Sequence, residues 1–289
     1  MTVVIVHHRG VELLERCLAA LAASRGARLE VVVVANDCRE EIPRRGDLAL
    51  HVVESQRPLG FSAANNLGVA WARRHLARAD HYLFLNDDTE VEPEAVALLA
   101  GDLEENPAWG VAGPLLFILG ASDHLNSLGI NVTAVAECWD EGIGRRLDEY
   151  RPLPGRREVL AVTGSALMMR AAAFDAVGGW TELFGYYLED VDLCLKARSR
   201  GWSVVNDPRA RVGHALSATA ANDFKRLSMW RNQLLLVAMH WPWRLLVRVA
   251  PRLAARELVV FLRRLANGSR GDAALQARAW AGAARRLPR

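Results

Sequence analysis

The chain has 289 residues, of which 51% are hydrophobic and 24% are charged. This length allows one large α/β domain or two small ones, and the apolar content supports a sizeable core, which excludes a chain that is disordered throughout. The four cysteines, at positions 17, 38, 138 and 194, form no CxxC pair and no tight cluster. We therefore expect neither a disulfide scaffold nor a zinc finger. We expect the protein to reside in a reducing compartment.

The sequence shows no pattern typical of a membrane span or a secretory leader. Thr2–Val6 is a short apolar run without a basic leader, so we interpret it as a first strand and not as a signal peptide. No uninterrupted apolar run approaches the roughly 18 residues that a membrane-spanning helix needs. We therefore expect a protein without a transmembrane segment.

The net charge of +3 is distributed unevenly along the chain. Residues 241–289 hold 11 arginines against Glu257 and Asp272, a net charge of +9, whereas residues 1–240 have a net charge of −6. A basic tail on an acidic body predicts an anionic partner for the tail. Basic and apolar residues mixed at helical spacing favour an anionic membrane surface over nucleic acid. The alternative is a packing helix with a solvated arginine face.

The first 113 residues alternate between strand and helix patterns. Apolar runs predict strands, and apolar residues three and four positions apart predict helices. The predicted strands are Val3–Val6, Glu30–Ala35, Leu48–Val53, His81–Leu85 and Trp109–Ala112, and the predicted helices are Leu14–Leu21, Ser62–Arg78 and Pro93–Glu104. Short connections between alternating strands and helices predict a parallel sheet with helices on both faces, in which ligands bind beyond the carboxyl ends of the strands.

The pattern is less regular after residue 113. Scattered glycines and an arginine-rich turn predict a loop-rich excursion at residues 114–158 that contacts a second substrate. Further elements follow in chain order: helices at Ala171–Val177, Glu189–Arg200 and Ala221–Met239, and short strands at Trp202–Val205 and Arg211–Gly213.

Asn86, Asp87 and Asp88 directly follow the apolar strand that ends at Leu85. Two adjacent acidic side chains cannot both point into a core. At the end of a strand, burial of two carboxylates away from water would be unfavourable. Hard oxygen ligands on a loop suit Mg²⁺ or Mn²⁺, which typically takes one or two carboxylates plus phosphate oxygens. The alternative is a turn followed by helix capping.

A second candidate site lies at Glu189 and Asp190, which follow a segment containing Trp180 and Tyr186. Aromatic rings suit the faces of a sugar, and a carboxylate can accept a hydroxyl proton. Capping of the helix dipole alone would also explain the acids. For His214, which follows an apolar strand, a structural role and a role at the phosphate site both stay open.

These segments together resemble a family-two inverting glycosyltransferase of the GT-A fold, closest to the bacterial rhamnosyltransferase-like branch. The matching segments run from residue 2 to about 235 in the order of the family: Val3–Arg9, Val31–Asp37, Gly60–Gly68, Leu85–Asp88, Thr163–Arg170, Gly178–Leu195 and Arg231-Asn232. The resemblance implies an α/β, Rossmann-like fold with a mostly parallel sheet and flanking helices. The charge and apolar spacing of residues 241–289 predict an additional basic helical C-terminal segment.

Three departures from the family pattern lie in the donor half. His7-His8-Arg9 stands where the family usually has Thr-Tyr-Asn, and Ala35-Asn36, with Asp37 one step later, stands where it has Asp-Asn. Pro58 occupies the place of an asparagine that commonly precedes the Gly-Phe pair. The identity of the donor is therefore the least defined part of the prediction.

The resemblance implies transfer of a sugar, with L-rhamnose as one candidate, from a dTDP- or UDP-linked donor with inversion. It assigns Asp190 as the catalytic base with Glu189 as its neighbour, and a divalent cation, Mg²⁺ or Mn²⁺, as cofactor. The implied donor-binding residues are Val6, His7, Asn36, Asp37, Gly60, Phe61, Asn66, Asn86 and Asp87; the acceptor-binding residues are Gly164, Trp180 and Tyr186; and the metal ligands are Asp88, Asp87 and His214.

The resemblance also implies partners and a location. The acceptor is a glycan or a polyprenyl diphosphate in bacterial cell-surface polysaccharide synthesis, and the protein is cytoplasmic and peripheral at the inner face of the membrane. Nucleic acid is not an expected partner, and a homodimer stays open. The alternative function is a non-catalytic GT-A-like scaffold that binds a sugar nucleotide or a membrane.

The predicted organisation is a glycosyltransferase domain at residues 1–240 and a basic amphipathic helical tail at 241–289. Residues 1–113 form the nucleotide-sugar half of the domain, and residues 114–240 form the acceptor half. In the tail, arginines recur every four residues at positions 244, 248, 252 and 256, and Pro242 and Pro251 predict a break into two helical pieces. Its apolar face is predicted from Trp241, Trp243, Leu246, Val247, Val259, Phe261 and Leu262.

Overall fold

A computed structural model describes residues 1–150, 153, 155–215 and 223–287 of the chain. The chain forms two compact units. The first consists of Met1–Asn131, Asp140–Gly185 and Glu189–Ser217, and the second of Val132–Trp139, Tyr186–Leu188 and Ala218–Arg289. The division of the chain at residue 240 stays a prediction.

Strands and helices alternate through the first unit, and helices make up most of the second. The strands are β1 (Thr2–His7), β2 (Glu30–Asn36), β3 (Ala49–Ser55), β4 (His81–Asn86), β5 (Thr89–Val91), β6 (Trp109–Ile118), β7 (Ala121–Ser127), β8 (Ile130–Val132), β9 (Cys138–Asp140), β10 (Arg157–Glu158), β11 (Ala166–Arg170) and β12 (Ser203–His214). The helices are α1 (Val11–Ala22), α2 (Phe61–His75), α3 (Ala95–Glu105), α4 (Ala171–Val177), α5 (Glu189–Ser199), α6 (Asp223–His240), α7 (Trp243–Ala266) and α8 (Arg270–Arg286).

The main sheet has the strand order β10-β12-β6-β11-β4-β1-β2-β3. Strands β3, β2, β1 and β4 are parallel neighbours, and β11 runs antiparallel between β4 and β6. In this register Val6 pairs with both Val34 and Asn86. The carboxyl ends of β1, β2 and β4 therefore meet at one edge, and the predicted α/β class with a mostly parallel sheet is confirmed.

Alternate side chains of β2 show why its run of valines is buried on both faces. Val31 and Val33 belong to the core cluster that includes residues of α1 and α3, whereas Val32 packs in a cluster with Ala72 of α2. Successive strand residues point to opposite faces. A strand covered by helices on both sides consequently has an apolar side chain at every position.

The predictions for the middle of the chain need correction. Residues 114–158 are not simply loop-rich, because they complete β6 and include β7, β8, β9 and β10. Residues 151, 152 and 154 lie outside the described part. The two short strands predicted after residue 201 are one strand, β12, whose register shifts between Asp207 and Arg211. Pro208 lies within this bulge, where a missing N–H group is tolerated.

The helices of the second unit also differ from the prediction. The predicted break at Pro251 is wrong, because α7 continues through this residue, whereas Pro242 directly precedes the helix. From Trp243 to Arg286 the described chain leaves the helical conformation once, between Ala266 and Arg270. The described part of α6 begins at Asp223, and positions 221 and 222 of the predicted helix lie outside the described residues. Among the helices described, none combines the length and apolarity needed to span a bilayer.

Candidate functional site

His214 lies beside Asp88 at the carboxyl edge of the sheet. Antiparallel pairing of Thr89 with His214 joins the two segments, and the N–H group of Ala215 donates to the carbonyl oxygen of Asp88 at 2.9 Å. Nε2 of His214 is 3.3 Å from Oδ1 of Asp88, and Nδ1 is 2.7 Å from Oδ1 of Asn126. Because an amide oxygen can only accept, Nδ1 of His214 is the donor to Asn126, and Nε2 faces the carboxylate of Asp88.

This arrangement fits a divalent cation. A carboxylate oxygen and an unprotonated imidazole nitrogen repel each other at this distance unless a proton or a cation lies between them. Imidazole and carboxylate are both ligands of Mn²⁺, and the carboxylate suits Mg²⁺. A metal-binding histidine is commonly oriented through its other ring nitrogen, as His214 is by Asn126.

Asp87 points to a different partner from its neighbour Asp88. Oδ2 of Asp87 lies 2.6 Å from Nδ1 of His7, and Nε2 of His7 lies 3.3 Å from Oε2 of Glu40. Burial of the His7 side chain lowers its pKa, but the hydrogen bonds and charges of Asp87 and Glu40 outweigh this effect and raise the pKa of His7 above its ordinary value. The roles of Asp87 and His7 toward the donor, and of Asp87 toward a metal, stay predictions.

Asp190 lies in the first turn of α5 and is held by two backbone groups. Its Oδ2 accepts the N–H of Gly164 at 2.9 Å, and its Oδ1 accepts the N–H of Val191 at 2.8 Å. Burial raises the pKa of Asp190 above its ordinary value, and the two N–H groups only partly offset that rise. A general base works best when its pKa is near the operating pH, so the direction of this shift suits the predicted role.

A continuous path of contacts connects Asp190 with the metal-binding candidates. Gly164 binds Asp190, and the carbonyl oxygen of the next residue, Ser165, accepts the N–H of Asn86 at 2.9 Å. The side-chain amide of Asn86 also donates to the Ser165 hydroxyl at 3.4 Å. Asn86 is the last residue of β4, two positions before Asp88. The predicted base and the predicted metal ligand thus belong to one hydrogen-bonded assembly.

Glu189 differs from its neighbour Asp190 in its surroundings. It is buried, and its Oε2 has no hydrogen-bond partner among the residues that the structure describes. Burial, and then the charge of Asp190, raise the pKa of Glu189 well above its ordinary value. Asp190, which two N–H groups orient, is therefore the better candidate for the base, and a catalytic role for Glu189 stays a prediction.

The predicted donor-binding residues at the ends of β1 and β2 differ in how far their side chains are buried. Val6 is partly buried in the sheet, and Asn36 is buried. The amide of Asn36 donates to the carbonyl oxygen of Leu59 at 2.9 Å and accepts its N–H at 2.8 Å. Asp37 is exposed, with φ of 50°. Asp37 therefore has the accessible carboxylate of this group, while Asn36 fixes the loop before α2.

The segment Gly60-Phe61 packs closely against the predicted acceptor region. A Cβ atom on Gly60 would lie 2.9 Å from Cα of Gly185, a separation that folded chains do not tolerate, so only glycine fits. The Phe61 ring meets Trp180 edge-on, with 5.6 Å between centroids, and Trp180 meets Phe84 in the same way at 5.0 Å. Trp180 is consequently a buried ring of this cluster, and its contact with an acceptor stays a prediction.

Asn66 binds the backbone of Trp180. Its Oδ1 accepts the N–H of Trp180 at 3.0 Å, and its Nδ2 donates to the carbonyl oxygen of Trp180 at 2.9 Å. Gly179 has φ of 76°, and a Cβ there would lie 2.9 Å from Oδ1 of Asn66. The structure therefore assigns Asn66 a part in holding the Gly178–Gly185 segment, and its direct contact with a donor stays a prediction.

Asn66→Ala should lower the free energy of unfolding by about 1–3 kcal/mol, because it leaves two backbone groups of a buried tryptophan unpaired. We also expect a higher KM for the acceptor, since the segment that carries Trp180 loses its attachment. Thermal unfolding and transfer kinetics measure both effects. Asn66→Asp is the matched control, which keeps the acceptor for the Trp180 N–H group. An alanine variant with wild-type stability would contradict this assignment.

Tyr186 belongs to the second unit, where a buried asparagine supports it. Nδ2 of Asn232 donates to the carbonyl oxygens of Tyr186 at 2.9 Å and Tyr187 at 2.6 Å, and Tyr187 has the unfavourable φ of 70°. Tyr186 is 38% exposed, and its ring meets that of Phe224 edge-on, with 5.7 Å between centroids. Asn232, which the sequence marked only by resemblance, thus fixes the backbone of this predicted acceptor residue.

Sequence reasoning missed three residues that contact predicted site residues. Asn126 orients His214, Glu40 binds His7, and Phe224 packs on Tyr186. No local pattern marks them, because each is distant in sequence from its partner. Asn126 also lies in the segment that the sequence predicted as loop-rich.

The similarity to solved glycosyltransferase structures shows that the fold is GT-A. The chain is similar to a crystal structure of GalNAc-T7 with UDP, GalNAc and Mn²⁺, with a TM-score of 0.65 and 17% identity over 82% of this chain and 47% of that one. A family model described as "Glycosyltransferase like family 2" matches residues 1–232. The chain therefore belongs to glycosyltransferase family 2, which confirms the predicted family.

Curated relatives have lower similarity and different lengths. An N-acetylglucosaminyl-diphospho-decaprenol L-rhamnosyltransferase of Mycobacterium tuberculosis is 25% identical over 227 residues, which cover 73% of this chain and 74% of that protein. The O-antigen biosynthesis protein RfbC of Myxococcus xanthus is 28% identical over 210 residues, 70% of this chain. That match spans only 16% of RfbC, and a match to a Sinorhizobium fredii protein spans 19% of its length.

Proposed function

We propose that the protein transfers a hexosyl residue, with L-rhamnose as first candidate, from a dTDP- or UDP-linked sugar to a glycan or polyprenyl-diphosphate acceptor. Transfer inverts the anomeric carbon and serves bacterial cell-surface polysaccharide synthesis. Membership of family 2 supports the reaction class. The name of the mycobacterial relative supports the sugar and the lipid-linked acceptor.

The path from Asp190 through Gly164, Ser165 and Asn86 to Asp88 is the observation that carries this proposal. Transfer from a nucleotide sugar needs a base near the acceptor hydroxyl and a positive charge near the leaving diphosphate. Asp190, whose pKa is raised, meets the first need, and the Asp88–His214 pair would meet the second by holding a divalent cation.

In the proposed mechanism, the acceptor oxygen attacks the anomeric carbon and its proton passes to the carboxylate of Asp190. The new C–O bond forms as the bond from the anomeric carbon to the diphosphate breaks, and the nucleoside diphosphate leaves. The backbone N–H groups of Gly164 and Val191 keep the Asp190 carboxylate in a fixed orientation during this step.

Asp88 and His214 would hold a divalent cation, Mg²⁺ or Mn²⁺, with Asn126 fixing the imidazole. A bound cation supplies positive charge that stabilises the leaving diphosphate. At the donor side, Asp37 offers an exposed carboxylate, and His7 holds Asp87. We propose that these residues contact the nucleotide.

We also propose that the protein works in the cytoplasm, at the inner face of the membrane. A polyprenyl-diphosphate acceptor is anchored in the bilayer, so an enzyme that uses it must reach that surface. The positively charged helices of the second unit support such a location, because the cytoplasmic leaflet is anionic.

The test measures release of nucleoside diphosphate by the full chain from dTDP-rhamnose and a panel of UDP-sugars with Mn²⁺. A polyprenyl-diphosphate-GlcNAc analogue is added or omitted, and mass spectrometry identifies the glycosylated product. We expect one donor whose turnover rises when the acceptor is added. Asp190→Asn is the control that should bind this donor without transfer.

A donor that binds and stabilises the protein but never turns over would favour the alternative, a non-catalytic scaffold. Ligand binding to the native state raises the unfolding temperature, so thermal unfolding detects such binding without turnover. Turnover of a different sugar would retain the enzyme class and replace rhamnose in the proposal.

A further inference from the structure

Helix α7 has three distinct faces. Its inner face packs on α8: the rings of Phe261 and Trp280 lie 5.2 Å apart, and Gln276 donates to Glu257 at 2.7 Å. Val249 and Leu253 of this face are buried. The exposed part of the helix surface includes an apolar stripe and, beside it, a basic edge.

The apolar stripe repeats at intervals of three and four residues along the helix. Its members are Trp243, Val247, Pro251, Ala254, Leu258, Leu262 and Leu265. The large side chains among them are between 45% and 69% exposed, with Trp243 the most exposed. Side chains three and four apart share one helix face, so these residues form a single strip over the length of α7.

The basic edge borders this stripe on one side. Arg244, Arg248, Arg252 and Arg263 each follow a stripe residue by one position, and all four are exposed. In the parts of the chain described here, none of the four takes part in an ion pair. Arg256 differs, because it pairs with Glu137 at 2.6 Å, and Arg264 lies 4.3 Å from the centre of the Trp230 ring.

We propose that this exposed surface of α7, the apolar stripe together with its basic edge, docks the protein on an anionic membrane, with the helix axis in the plane of the interface. An apolar strip inserts between lipid headgroups, and arginines beside it meet anionic phosphates at the same depth. A nucleic-acid duplex would supply negative charge for the arginines, but it has no apolar surface for the seven residues of the stripe.

The structure changes which side chains belong to this surface. Nε1 of Trp241 donates to the carbonyl oxygen of Ala134 at 2.6 Å, and Phe261 packs on Trp280. Trp241 and Phe261, which the sequence pattern placed on the apolar face, therefore do not belong to the exposed stripe. Leu258 and Leu265, which that pattern omitted, are 52% and 45% exposed and belong to it.

This inference rests on the proposed function only for the choice of the cytoplasmic leaflet, so vesicle binding is measured without donor or acceptor. The probe is co-sedimentation of the full chain with phosphatidylcholine–phosphatidylglycerol vesicles and with pure phosphatidylcholine vesicles, at low and high salt. Deletion of residues 241–289 is avoided because it removes α8, whose Asp272 pairs with Arg226 of α6 at 2.7 Å.

Two sets of substitutions separate the stripe from the basic edge. The first set is Val247→Gln, Leu258→Gln and Leu262→Gln combined, which places good helix formers at exposed positions. The second set replaces Arg244, Arg248 and Arg252 with glutamine. The matched control is Val52→Gln, Ile143→Gln and Leu160→Gln, which removes three exposed aliphatic side chains outside α7.

We expect the wild-type chain and the control to bind the anionic vesicles and to dissociate with salt. Each arginine removed should weaken partition by up to about fivefold, and the stripe variant should lose at least about tenfold. Both variants should keep the wild-type unfolding temperature and their transfer rate to a water-soluble acceptor. These two measurements distinguish a failure of docking from a failure of the enzyme.

Equal binding of wild type and stripe variant, or equal binding to anionic and pure phosphatidylcholine vesicles, would overturn the proposal. A second copy of the chain is the competing occupant of the stripe. Light scattering of the wild-type chain and the stripe variant tests for such a dimer. A dimer that dissociates in the stripe variant would also overturn docking on a membrane.

Discussion

Asp88→Ala is expected to abolish sugar transfer and to weaken donor binding. Its carboxylate faces His214 at 3.3 Å, and the alanine would leave the imidazole as the sole side chain of that pair for a cation. Without a held cation, the charge that develops on the leaving diphosphate is not neutralised. Transfer rates over a range of Mn²⁺ concentrations, with donor binding followed by calorimetry, measure the effect.

Asp87→Asn is the matched control for this prediction. Asp87 lies next in the chain but contacts His7 at 2.6 Å, so its substitution should change the affinity for the nucleotide more than the dependence on Mn²⁺. His214→Ala should raise the Mn²⁺ concentration needed for half-maximal rate. Normal turnover by Asp88→Ala in the presence of a chelator would contradict the assignment of Asp88 as a metal ligand.

Asp190→Asn is expected to lower transfer by about 10²–10⁴-fold, the usual loss on removing a general base. Asparagine keeps the shape of the side chain and one acceptor for the N–H of Gly164, but it cannot take a proton. Donor binding should stay near the wild-type value, because the contacts of Asp190 are with backbone N–H groups of the acceptor side. Single-turnover kinetics and donor calorimetry separate these two effects.

The pH profile gives an independent test of the same residue. The active form of a general base is the deprotonated one, and burial raises the pKa of Asp190. Activity of the wild type should therefore fall as the pH drops through this raised pKa, at a higher pH than for a solvated aspartate. The acid limb should disappear in Asp190→Asn. If Glu189→Gln removes that limb and Asp190→Asn leaves it in place, the base is Glu189.

Local sequence determined the strands and helices of the parallel half of the sheet. The valines of β2 are buried on both faces, and the apolar residues of α1 at spacings of three and four face the core, as their patterns predict. These patterns are reliable because burial on a strand or a helix imposes a fixed period on the side chains. The sequence did not determine the strands at 114–158, whose polar residues follow no clear period.

The sequence also predicted Asp88, Asp190 and His214 as site residues, but it could not decide what each contacts. Pairing of β5 with β12 brings Asp88 to His214, and the strand β7 brings Asn126 to the same imidazole. Adjacent aspartates look alike in a sequence, yet in the structure Asp87 binds His7 and Asp88 lies beside His214. Such differences arise from strand register, which fixes the direction of each side chain through contacts between distant parts of the chain.

The tail shows the same division between sequence and structure. Its composition established a basic and amphipathic helix, because charge and apolar spacing are properties of the local sequence. Only the packing of α7 on α8 decided which apolar residues are buried and which form the exposed stripe. Helix α7 has apolar residues on more than one face. Which of these faces is buried depends on the helices that pack against it.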